Sequence, residues 1–479
     1  MNELTNHSRR DFIKTAGIFS AAFLLPKFIT SGMHRTEKPN IVFILADDQG
    51  VHELGCYGNP YYHSPNIDRL SREGMIFTNS YAACPVCSPT RASIMTGKYP
   101  ARLHLTDFIP GKETQPENYL ATPEWTKQLT LEEVTIAEAL KTAGYKTGHF
   151  GKWHLNYDKN YSPGRPGDPG SQGFDVVFTS VKPNKNDDPD ADAHHVKEIT
   201  DNALKFIEGN KDQQFFCYMA HHSIHSPKME NEALIQKYKE KPGADLPENS
   251  PVIGAMVETL DKNIGRILDK LDELKLSQNT IVIYFADNGC STAKETLKPL
   301  RGGKAQLYEG GIREPLIIRW PGVIRPGSKC DVPVTSVDFF PTILNICGVK
   351  NNISNIDGVD ILTLLNGAEK YSDRPIFWHY PHYHSQGIAP SGAVRKGRYK
   401  LIEWYEKSIN GIVTEGALEL FDLETDISEQ KNLIKEKPQL GRELYDELKN
   451  WRKKVNAQEM FLNPDYKPGA KKKKESIDE

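Results

Sequence analysis

Residues 40–48 read Asn-Ile-Val-Phe-Ile-Leu-Ala-Asp-Asp, an apolar run cut off by two carboxylates. An unbroken apolar run of this length suits a strand buried on both faces of a parallel sheet, where polar alternation disappears. The pattern recurs three times. Thr280–Ala286 ends at Asp287-Asn288-Gly289, Phe215–Ala220 ends at His221-His222, and the stretch from Tyr145 to Phe150 ends at Gly151-Lys152-Trp153-His154. Helical periods lie between them. Thr130 to Ala143 puts Leu131, Val134, Ala137 and Leu140 on one face before Gly144. A longer stripe runs from Pro251 to Leu274, with Ser250 as its cap and Pro251 in its first turn. Strands alternating with helices predict an α/β fold with a large, mostly parallel sheet sandwiched by helices. In such sheets ligands bind beyond the carboxyl ends of the strands. Here those ends carry acids, histidines and a lysine.

The remaining composition narrows the class. The chain has 479 residues, 38% hydrophobic and 26% charged, with a net charge of −3. That is ample for one large domain and a smaller one, and it shows no basic excess pointing to nucleic acid. Ser8-Arg9-Arg10-Asp11-Phe12, followed by an apolar run from Ala16 to Leu25, resembles a twin-arginine export signal. The run is too short to span a bilayer comfortably, and no other segment reaches transmembrane length. Export to the periplasm or the medium is expected. Seven cysteines are too few for a disulfide scaffold.

Asp47, Asp48, Asp287 and Asn288 offer hard oxygen ligands at two strand ends, which suits calcium or magnesium. Helix capping explains one such acid easily, but two pairs less well. Lys152, His154, His225 and Lys304 add cationic groups after strands or in the glycine-rich Arg301-Gly302-Gly303-Lys304. Cations beside a cation site imply an anionic substrate, and histidine and lysine can move protons to and from a leaving group.

Residues 84–97 read CPVCSPTRASIMTG. The CxxC lacks both a thioredoxin-like context and a second cysteine or histidine pair for zinc. Cys87-Ser88-Pro89-Thr90-Arg91, with Thr96-Gly97 downstream, resembles the sulfatase signature C-x-P-x-R then T-G. Asp47-Asp48, Gly151–His154, His225-Ser226-Pro227, Asp287–Gly289 and the run from Gly303-Lys304 to Glu309–Pro315 resemble sulfatase motifs in the same order. The likeness spans about residues 39 to 455 and points to a type I, formylglycine-dependent sulfatase of the alkaline-phosphatase superfamily. It implies that a dedicated maturing enzyme oxidises Cys87 to formylglycine, leaving Cys84 as a small buried residue. It also implies one calcium ion on Asp47, Asp48, Asp287 and Asn288 that contacts the modified Cys87. Arg91 and Lys152 would hold the aldehyde hydrate. His225 and Lys304 would bind sulfate and assist the leaving alcohol, and His154 would take the proton when the sulfated intermediate breaks down. A phosphonate or phosphodiester hydrolase of the same superfamily is the alternative.

The expected organisation is an export segment and linker over 1–38, a catalytic domain over 39–368, an α+β subdomain over 369–463 and a basic tail over 464–479. The stretch from Asp158 to Asp192, rich in Gly, Pro, Asp and Asn, reads as a surface excursion. Ile376–Tyr380, Tyr399–Ile402 and Leu418–Leu423 read as short strands, and a helix is expected from about Gln439 to Val455. Aromatics alternate with His379, His382 and His384, a pattern that suits either a sugar-binding wall or ordinary packing. The expected substrate is a sulfated glycan.

Overall fold

The computed structural model describes residues 38–157, 164–290, 299–350, 353–368 and 373–470. The export-like segment and Lys471–Lys474 lie outside the described residues. The eight-stranded sheet has the order Ser328–Cys330, Met75–Phe77, Leu316–Arg319, Thr280–Ala286, Asn40–Ala46, Phe215–Ala220, Lys146–Gly151, Val176–Thr179. Only Leu316–Arg319 runs against the others. The central strand shows why its sequence is apolar throughout. Ile41, Phe43 and Leu45 enter a core with the helices Cys87–Thr96, Ile136–Thr142 and Phe339–Ile346. Val42, Ile44 and Ala46 enter a second core with Pro65–Glu73, Val196–Gly209 and Pro251–Glu273. Both faces are covered, so neither can be polar.

Register positions the strand ends. Leu45 lies opposite Ala220, Ala46 opposite Ala286 and Gly151 opposite Ala220. Asp47 and Asp287 therefore leave the sheet side by side, with His221 and Lys152 leaving it one residue earlier on the neighbouring strands.

Three local expectations are corrected. The helix expected from Thr130 begins at Ile136. The Thr135 hydroxyl accepts from the Glu138 amide and the Glu138 carboxylate from the Thr135 amide, so this capping box overrides the apolar period and leaves Leu131 and Val134 exposed. Ser250 precedes the long helix without a side-chain cap bond. The expected excursion holds the sheet's edge strand, Val176–Thr179, paired in parallel with Gly148–Gly151.

The C-terminal sheet is an antiparallel meander, Ile376–Tyr380, Ser391–Lys396, Tyr399–Trp404 and Leu418–Asp422. Its second strand escaped the sequence reading. Gly392 interrupts the β pattern there because a Cβ would stand 2.4 Å from the Tyr405 hydroxyl. The helix Pro438–Lys454 covers one face, with Trp451 stacked on Phe377 at 4.7 Å. The other face packs Trp378, Ile402 and Phe421 against Tyr81, Leu307, Tyr308 and Ile312. Within this contact Lys400, fully buried, reaches Glu309 at 2.9 Å and Glu429 at 2.8 Å.

Candidate active site

The four strand ends build one buried polar centre. Asp47 and Asp48 follow the central strand and have no exposed surface, as do Asp287 and Asn288. Asp48 takes a left-handed φ of 59° and His154 one of 56°. Such backbone is uncommon for non-glycine residues and collects at functional sites.

Cys87 begins the helix Cys87–Thr96 and lies in the same pocket. One ligand atom each from Asp47, Cys87 and Asp287 lie within 4.8 Å of one another. Arg91, one turn along that helix, donates from Nε to Asp287 Oδ2 at 2.8 Å and from Nη1 to the Lys152 carbonyl at 2.8 Å. Lys152 Nζ donates to Asp47 Oδ2 at 2.7 Å. Asn288 Nδ2 donates to Asp48 Oδ1 at 2.7 Å. Lys304 Nζ lies 3.2 Å from Asp48 Oδ1 and 3.2 Å from His225 Nε2. Cys87, Arg91, Lys152, His225 and Lys304 thus converge on the four oxygen residues. His154 joins from the loop after Lys152, its Nε2 bonded to the Ile109 carbonyl at 2.7 Å.

Charge balance sets the ionisation. Burial raises the Asp47 carboxyl, but Lys152, His225, Arg91 and Lys304 outweigh it and hold Asp47 well below the usual range. Burial and the neighbouring Asp47 charge push Asp287 up to about 7. Burial raises the Cys87 thiol to about 11 against the pull of Lys152 and Lys304. His225 falls to about 4, first through burial and then through Lys304.

Asp47 Oδ1 and Asn288 Oδ1 are buried without a hydrogen-bond partner. Leaving such oxygens unpaired is costly. Two unpaired oxygens, beside Asp48 and Asp287 and with no sulfur or nitrogen donor required, fit a hard divalent cation.

The aromatic histidine wall expected of the C-terminal subdomain is packed inside. His379 is 4% exposed, with Nδ1 bonded to the Tyr405 hydroxyl and Nε2 to the Gln458 carbonyl, so both ring nitrogens are used within the chain. His382 is bonded to Thr106 Oγ1 at 2.8 Å. His384 packs edge-on against Phe108 at 5.5 Å. His221 is fully buried, and His222 bonds Ser180 at 3.0 Å.

Sequence reasoning missed the lining of Cys87. Cys84, Val86, Phe108, Ala305 and Tyr380 surround it in one apolar cluster. These residues come from four distant segments and carry no chemical motif. It also missed the loop through Ile109, whose carbonyl fixes His154 and whose amide donates to Ser88 Oγ at 3.1 Å. A backbone carbonyl leaves no trace in residue identity.

The family model described as "Sulfatase" matches residues 39–349, and "N-sulphoglucosamine sulphohydrolase, C-terminal" matches 303–457. A sulfatase of Formosa agariphila is 29% identical, covering 88% of this chain and 90% of its own. The N-acetylgalactosamine-6-sulfatase of Rattus norvegicus is 33% identical, covering 77% and 72%. The crystal structure of Ps i-CgsB with k-i-k-neocarrahexaose superposes with a TM-score of 0.70 at 25% identity, covering 87% and 93%. The chain belongs to the sulfatase family, within the alkaline-phosphatase-like superfamily. Its activity is hydrolysis of sulfate esters. Among the described residues no helix is long and apolar enough to cross a membrane.

Proposed function

We propose that the protein is an exported carbohydrate sulfatase in which a maturing enzyme converts Cys87 to formylglycine and Asp47, Asp48, Asp287 and Asn288 hold one calcium ion. The hydrated aldehyde would supply a hydroxyl nucleophile, and the ion would act as a Lewis acid that stabilises anionic oxygen. The observation that carries this reading is Cys87 grouped with Asp47 and Asp287 under a cover of buried cations. An unmodified thiol raised to about 11 is scarcely ionised at neutral pH and makes a poor nucleophile.

The chain's own residues divide the work. Arg91 and Lys152 lock each other in place through the Lys152 carbonyl and present fixed positive charge to the nucleophile. Lys304, whose Nζ donates to His225 Nε2 at 3.2 Å, would receive the sulfate oxygens together with His225 once that ring is protonated. His225 Nδ1 donates to the Ser226 carbonyl at 2.6 Å, which leaves Nε2 as the ring atom that titrates; the negative charge of a bound sulfate would favour the imidazolium, whose Nε2 proton would pass to the departing alcohol. His154 donates from Nε2 to Ile109, so Nδ1 carries the lone pair and serves as proton acceptor. The apolar lining of Val86, Phe108, Ala305 and Tyr380 keeps bulk water out, which strengthens these charges.

A glycan substrate is supported by the printed names of the relatives, one an N-acetylgalactosamine-6-sulfatase and one a complex with k-i-k-neocarrahexaose. Of the three histidines of the C-terminal segment, His382 packs against Tyr380 and His384 against Phe108, two residues of the apolar cluster around Cys87. The test is release of sulfate by matured protein from defined sulfated oligosaccharides, alongside matched aryl sulfate and aryl phosphate. Preference for the phosphate would replace this reading with the phosphonate or phosphodiester hydrolase.

A further inference from the structure

The two chain segments that supply the calcium ligands each continue into a second set of donors. After Asp47-Asp48 the chain makes a short turn, Val51–Glu53, and after Asn288 it passes Gly289 to Cys290. One ligand atom each from His52, Glu53 and Cys290 lie within 4.8 Å of one another, and all three residues are buried. His52 is 8% exposed, Glu53 1% and Cys290 1%.

The pocket is shaped for these groups. Gly50 has no Cβ, and one built there would stand 2.7 Å from His52 Cε1, 3.0 Å from its Nδ1 and 3.6 Å from Cys290 Cβ. The imidazole thus fills the space a side chain at position 50 would take. The Gly50 amide donates to Glu53 Oε2 at 2.9 Å, which fixes the carboxylate. His52 Nε2 is buried without a hydrogen-bond partner. Glu314, 1% exposed, has neither carboxylate oxygen paired and feels the charges of Asp287, Asp48 and Glu53. Burial holds His52 neutral, with a pKa of about 4, the form that ligates metal.

We propose that His52, Glu53 and Cys290 form a second metal site, distinct from the calcium site, that takes zinc. One nitrogen, one oxygen and one sulfur donor suit a borderline ion and exclude calcium. Three protein ligands leave a fourth position for water. The ion would tie the segment after Asp48 to the segment after Asn288 and so brace the calcium ligands from behind. Binding releases the Cys290 proton, and the proton of any Glu53 carboxyl still protonated, to solvent and changes no oxidation state.

The probe is cobalt(II), which reports a thiolate ligand by a near-ultraviolet charge-transfer band. It is titrated into full-length, calcium-loaded protein carrying Cys87→Ser, so that no thiol remains at the calcium site. The expected result is one cobalt bound with a thiolate band, displaced by zinc, with calcium content unchanged. Cys290→Ser should abolish the band. His52→Ala, which keeps every remaining cysteine, should weaken cobalt binding about tenfold or more. Absence of a thiolate band in the folded parent would overturn the proposal, as would a band of equal affinity in both variants. None of these readouts depends on catalysis, so the outcome is independent of the reading of Cys87.

Discussion

Lys400→Met removes the lysine charge that pairs with both Glu309 and Glu429 within a fully buried contact. Burial and the loss of water around Glu309 are offset in the native chain first by Lys400 and then by Arg313 and Arg395, which hold that carboxyl below its ordinary range. Glu429, which shares the same lysine, is pushed above it by burial. Breaking a buried pair by removing one partner costs about 3–5 kcal/mol, because an uncompensated charge is left behind. Arg313 and Arg395 remain beside Glu309, which places the expected loss near the lower end, at about 3 kcal/mol. The pH dependence has a definite sign. The native Glu309, depressed, contributes stability present above the ordinary glutamate pKa and lost as pH falls through its folded value. In the variant its pKa rises, so that contribution disappears above the ordinary pKa. The gap between native and variant is therefore widest near neutral pH and narrows toward pH 4. Urea unfolding at pH 7.5 and pH 4.5 measures it, and Glu429→Gln, which keeps the Lys400–Glu309 pair, should cost less than Lys400→Met. Because Glu309 opens the short helix after the Lys304 loop, the destabilised variant should also lose turnover. A loss under about 1 kcal/mol at pH 7.5, or one that grows on acidification, would refute the reasoning.

Chelation should abolish turnover, and calcium should restore it more readily than zinc, since the four strand-end ligands offer oxygen alone; activity and bound-metal content are measured together. His225→Ala should cost about 10²–10⁴-fold on a sugar sulfate and much less on a nitrophenyl sulfate, whose leaving group needs little protonation. His154→Ala should slow both substrates by a similar factor, and equal leaving-group sensitivity in the two variants would mean the roles are wrongly divided. Cys84→Ala, which removes a buried thiol placed 3.9 Å from the Thr106 carbonyl, should lose about 1 kcal/mol of stability and keep most activity.

The sheet was legible because burial on both faces writes an unbroken apolar run, and Asn40–Ala46, Phe215–Ala220 and Thr280–Ala286 coincide with such runs to the residue. The long helix ends at Glu273, one residue from its expected limit. Two strands escaped for different reasons. Val176–Thr179 is an exposed edge strand among turn residues, and Ser391–Lys396 contains the glycine that lets Tyr405 approach. Polar residues that converge at strand ends could be picked out one by one because their chemistry is unusual there. What could not be read was whether a histidine faces the pocket or the interior. His225 and His379 look alike as residues, and only their partners distinguish them: Lys304 beside one, Tyr405 and the Gln458 carbonyl on the other.

The central claim is the identity of residue 87. The protein should be produced with and without a sulfatase-maturing enzyme, digested, and the peptide spanning Cys84 to Arg91 weighed intact. The account predicts an aldehyde at residue 87 in the matured sample, a free thiol at Cys84 in both, and sulfate release that scales with the aldehyde fraction and vanishes in Cys87→Ala. Full turnover by protein whose residue 87 is entirely thiol would contradict it.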